Sequence, residues 1–67
     1  AFEARKNAAL FAASAIMKRM KADGMPVEEV WAKHKAPATA TAVTPANIAA
    51  LEAAVAECER SYAANEP

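Results

Sequence analysis

Large apolar residues recur at helical spacings in two stretches of this chain. Between Phe2 and Ala22, the residues Phe2, Ala9, Ala13, Ile16 and Met20 fall on one stripe of a 3.6-residue wheel, flanked by Leu10 and Met17. Between Ile48 and Tyr62, the residues Ile48, Leu51, Val55, Cys58 and Tyr62 follow one another at spacings of 3, 4, 3 and 4, a two-heptad seam of the coiled-coil kind. Neither stretch contains proline or glycine, and the first is dominated by strong helix formers. The pattern predicts a helix over about 2–22 and another over about 45–64, the latter opened by Thr44 as N-cap and Pro45 in the first turn.

What lies between is punctuated. Gly24 is a natural left-handed stop, with Lys18, Arg19 and Lys21 placed where cations suit a helix C-terminus. Pro26, Glu28 and Glu29 then open a short helix over about 26–35, which ends because Pro37 disfavours a helical residue before it. Residues 36–43 carry Thr39, Thr41 and Val43 and no glycine, which predicts an extended strap over the surface. Counted from Lys35, the nine residues 35–43 reach roughly 30 Å when extended, more than a tight hairpin requires. No segment reads as a strand, and no internal repeat is present. The expected fold is all-α, a single helical domain over 1–67. Two long antiparallel helices carry a short Trp31-bearing helix across one end.

Phe11 stands apart from this scheme. On the wheel it points nearly opposite the main stripe of its helix, beside Ala4, Ala8, Ala15 and Ala22. A large aromatic set in a strip of alanines predicts a second contact surface.

Composition sharpens the picture. Hydrophobic residues make up 55% of the 67 positions, but alanine supplies more than half of them. A methyl group buries little area, so at roughly 25 cal/mol per Å² the core is thin for so short a chain. This predicts completion by dimerisation or by docking on a larger protein, with the third helix at the subunit interface. Eight basic and eight acidic side chains cancel. Their distribution is uneven, with Arg5, Lys6, Lys18, Arg19 and Lys21 in the first helix and Glu52, Glu57, Glu59 and Glu66 in the last third. The two halves suit each other, within one chain or between two. A single cysteine excludes an internal disulfide and points to a reducing cytoplasm. The longest apolar run, ten residues from Ala8 to Met17, is too short to span a membrane and too alanine-diluted for a signal peptide. The alanine load points to a GC-rich bacterial or phage genome.

Candidate chemistry is sparse. His34 shares a face with Val27, Val30 and Trp31 but has no second histidine or spaced cysteine, so it reads as structural and not as a metal ligand. Cys58 lies inside the seam, where a thiol behaves as a small hydrophobe and not as the nucleophile of a Cys58–His34 pair. Glu52 and Glu59 share a face without an acid/base partner, and one glycine cannot build a phosphate loop. A helix-turn-helix fails because the connection is too long and the helix that would enter the groove is acidic. Trp31 reads as the core plug, with an interface anchor as the alternative.

These residues lead to the expectation of a small non-enzymatic cytoplasmic protein that binds and modulates a larger bacterial or phage protein, working as a homodimer. No catalytic, cofactor or metal site is expected, nor a membrane. Phe11, Trp31, Leu51, Val55 and Tyr62 are the expected partner-binding residues. The alternatives are a small DNA-binding regulator using Arg5, Lys6, Lys18, Arg19 and Lys21 on phosphates, or a helical domain or small subunit of a larger enzyme.

Overall fold

The computed structural model describes residues 1–64; Glu66, counted above among the acidic residues, lies outside the described residues. Three α-helices are present, α1 (Phe2–Ala22), α2 (Val27–His34) and α3 (Ile48–Ala64), with a single 3₁₀ turn at Ala40–Ala42. There is no strand among the described residues. The long axis of 37 Å is close to the length of α1, whose residues rise about 31 Å.

Each helix end has a local cause. α1 closes on Gly24 at φ 70, with Met25 N–H donating to Met20 O at 2.8 Å and Gly24 N–H to Lys21 O at 3.1 Å. These two bonds satisfy carbonyls that the last turn would otherwise leave open. α2 closes the same way around Lys35, with Ala36 N–H on Trp31 O and Lys35 N–H on Ala32 O. Lys35 takes φ 53 and ψ 41, a left-handed conformation that carries a steric cost for any side chain with a Cβ. Ahead of α3, the Asn47 N–H donates to the Thr44 hydroxyl and the Thr44 N–H to Asn47 Oδ1 at 2.7 Å. This reciprocal box, with Ile48 N–H on Thr44 O, caps the helix from Thr44.

α3 is the central element, and both α1 and α2 pack mainly on it. It buries Ile48, Leu51, Ala54, Val55 and Cys58. α1 contributes Ala9, Ala13, Ile16 and Met20, and α2 contributes Val27 and Trp31. Ile48, Leu51, Val55 and Cys58 of the heptad seam are therefore buried within one chain and need no second subunit to cover them, while Tyr62, the last seam residue, is half-buried. Alanine at positions 9, 13 and 54 helps make this possible: small side chains let the helix axes approach until the few large ones interlock.

The direction of the long helices differs from expectation. Arg5, early in α1, forks onto the carboxylate of Glu52, early in α3, with Nε 2.8 Å from Oε2. Towards the other end, Ile16 and Arg19 of α1 share a groove with Glu59 and Tyr62 of α3. Early residues meet early ones and late residues meet late ones, so α1 and α3 run in the same sense and not antiparallel. With Glu52 held at Arg5, an antiparallel α3 would carry Tyr62 about 15 Å in the direction opposite to Ile16, leaving the two about 30 Å apart. The connection explains the outcome. After Gly24 reverses the chain, α2 and the strap together return it to the starting end of α1, where α3 begins.

The strap itself is not extended throughout. Thr39 and Val43 are extended, but Ala40–Ala42 coil into the 3₁₀ turn between them. Nor does the segment only skirt the surface, because Val43 is buried in the core and Ala36 packs against it. Alternating threonines favour extended backbone only weakly, whereas burying the Val43 side chain anchors the strap directly before the Thr44 cap.

Candidate docking surface

The strip opposite the α1 core face is solvent-facing along its length: Ala4, Ala8, Phe11, Ala15 and Ala22 are all exposed. Phe11 is 80% exposed, the one large hydrophobic side chain so displayed among the described residues. Beside it runs a groove of about 460 Å³ between the later halves of α1 and α3. Ala12, Ala15 and the buried Ile16 line its α1 wall, Tyr62 and Ala63 its α3 wall, and Phe11 stands on its edge. Arg19 and Glu59 line the same groove, both exposed and neither in an ion pair among the described residues.

Of the five expected partner-binding residues, the structure brings Phe11 and Tyr62 together here. The other three are elsewhere. Leu51 at 1% and Val55 at 6% exposure lie inside the chain's own core, which leaves them almost no surface to offer a partner. Trp31, 8% exposed, fills the space between α2 and the rest of the core, and its Nε1–H donates to Pro37 O at 3.2 Å. A smaller apolar depression of about 320 Å³ exposes the outer edge of Trp31 beside Met17, Lys35 and Ala38. The sequence places Ala15 in the Phe11 strip and Arg19 among the alternative phosphate contacts, but marks no contact role for Ala12, Glu59 or Ala63, which also line the groove. Their positions on the wheel beside Phe11 and Tyr62 were the available signal, but the groove exists only because α1 and α3 run in the same sense.

The remaining chemistry is structural. His34 Nε2 lies 2.7 Å from Glu57 Oε1, and Lys33 Nζ donates to both Glu57 oxygens at 3.1 Å, tying the end of α2 to the middle of α3. The His34 hydrogen bond, then Lys33, holds the Glu57 carboxyl below its ordinary value. The Arg5 hydrogen bond does the same for Glu52. Burial pushes the Cys58 thiol up, and the charges of Glu57 and Glu59 add to the effect, so the thiolate is disfavoured. Among the described residues no three His, Cys, Asp or Glu side chains gather as a metal site would require, and no helix is long and apolar enough to cross a membrane. Comparison with protein-family models, with curated proteins and with solved structures gives no match to this chain.

Proposed function

We propose that this chain is a non-enzymatic protein–protein interaction module, an adaptor or inhibitor that recognises another protein through the Phe11 face. The carrying observation is the 80% exposure of Phe11 at the edge of an apolar groove, on a helix whose core-facing stripe is otherwise well buried. A large aromatic held in water loses free energy of order 1.5–3 kcal/mol that a partner's surface recovers, and aromatic anchors dominate binding energetics. The ring is carried on a helix already packed on α3, so little backbone ordering opposes docking.

The DNA-binding alternative draws less support. Arg5 is committed to Glu52, while Lys6 and Lys21 lie 3.9 and 3.8 Å from Glu3 and Glu28. Among the described residues, Lys18 and Arg19 alone of the five candidate phosphate contacts are in no ion pair, too few for a strong electrostatic footprint.

The test is capture from source-cell extract on immobilised wild-type chain and on Phe11→Ala, each first shown to be equally helical by circular dichroism. The reading expects one or more proteins retained by the wild type and lost from the variant. Equal capture by both would remove Phe11 from recognition.

A further inference from the structure

We infer that the groove beside Phe11 is the seat of the same ring from a second copy of this chain, so that two copies pair about a two-fold axis. The inference rests on the reading of the Phe11 face as a docking surface and names its occupant.

Three observations carry it. The first is shape. Phe11 stands on the edge of the groove lined by Ala15, Ile16 and Tyr62, so knob and hole belong to one patch. A two-fold rotation that brings two such patches together delivers each ring to the other's groove, the self-complementarity an isologous interface requires. A groove of about 460 Å³ has room for it, since roughly 150 Å³ suffices for a benzene ring. The exposed Ala4, Ala8 and Ala15 present only methyl groups beside the ring, so a second helix can come close along this part of α1, short of the exposed Lys18 one heptad beyond Phe11.

The second observation is charge. The groove carries one cation, Arg19, and one anion, Glu59, and neither is spent on an ion pair among the described residues. A patch with one charge of each sign complements its own copy: the Arg19 guanidinium of each chain faces the Glu59 carboxylate of the other. The third is the absence of any global penalty. Eight positive and eight negative side chains leave the chain without net charge, so two copies approach without long-range repulsion.

Pairing through this patch occupies the same face that the proposed target would use. Self-association and target binding therefore compete, and the dimer is the form in which Phe11 is covered.

Analytical ultracentrifugation from micromolar to millimolar concentration tests the inference. The wild type is expected to shift from the 7.0 kDa single chain to twice that mass. Phe11→Ala should raise the dissociation constant about tenfold or more. Arg19→Glu and Glu59→Arg should each weaken pairing, and the double variant Arg19→Glu/Glu59→Arg should restore it, because the swap rebuilds the contact with the signs reversed. All three substituted positions are exposed, and circular dichroism verifies that helicity is unchanged. A single-chain mass throughout, or a double variant no better than either single one, would overturn the inference. The two readings fail separately. A monomer that still loses its captured protein on Phe11→Ala sinks the self-pairing alone. A dimer that obeys the charge swap, while capture is indifferent to Phe11, upholds the self-pairing and sinks target recognition.

Discussion

The indole of Trp31 hands its only hydrogen-bond donor to the backbone oxygen of Pro37, at 3.2 Å. One side chain thus fills the space between α2 and the core and fastens the first residues of the strap that leads to α3. Trp31→Phe keeps most of the packing and removes the donor. Chemical denaturation should show a loss of about 0.5–1.5 kcal/mol, the usual net worth of such a bond. Trp31→Ala should cost about 3–5 kcal/mol. Equal losses for the two would mean that the bond, and not the packing, holds this end.

Leu51 is the centre of the core, 1% exposed on the helix that α1 and α2 both pack against. Truncation to alanine should cost on the order of 2–4 kcal/mol, a large share of the stability of so small a fold. A melting temperature within a degree or two of wild type would contradict the packing described.

Lys35 closes α2 in a left-handed conformation that glycine adopts freely. Lys35→Gly should therefore stabilise the fold, by about 0.5–1 kcal/mol after the greater flexibility of the unfolded chain is counted. Gly24 is the mirror case. A Cβ there meets open space, so Gly24→Ala should destabilise by about 1 kcal/mol through backbone strain alone. The two substitutions should move the denaturation midpoint in opposite directions.

Glu57 and Glu52 supply the acid sensitivity. Both carboxyls lie below the ordinary value of 4.5, Glu57 through His34 and Lys33 and Glu52 through Arg5. A depressed carboxyl binds fewer protons folded than unfolded, so its contribution is whole above 4.5 and is lost as pH falls through the lower folded value. Stability should fall on acidification below 4.5, and Glu57→Gln should flatten that limb while leaving its Glu52 part. An unchanged acid limb in the variant would show that Glu57 is not linked to folding.

The faces of the helices were legible in the sequence because a side chain's angular position follows from the 3.6-residue turn alone. Ala9, Ala13, Ile16 and Met20 are buried as their stripe predicts, and Phe11 is as exposed as its isolation predicts. The sense of α3 was not legible, since periodicity gives which side of a helix is apolar and never which way its neighbour runs. Val43 reads with the threonines around it as part of an outer strap, because one valine among small residues has no period to reveal its burial. The charge halves indicated attraction between α1 and α3, but the matching of Arg5 to Glu52 waited on the direction of the chain. Lys35 carried no glycine to mark its conformation. Only Pro37, two residues on, hinted at a helix end there.

The same-sense pairing of the long helices also orders the assembly of the chain in time. The Arg5–Glu52 contact closes over 47 residues, whereas Lys33 and His34 reach Glu57 across 24 and 23. Doubling a loop adds about 0.6 kcal/mol of closure entropy, and contacts near in sequence are met first. The contacts of α1 with α3 are therefore expected to form after those between α2 and α3. Leu51→Ala is expected to slow refolding in stopped-flow experiments, whereas Ile16→Val should chiefly hasten unfolding, because the contacts of Ile16 form after the barrier has been crossed.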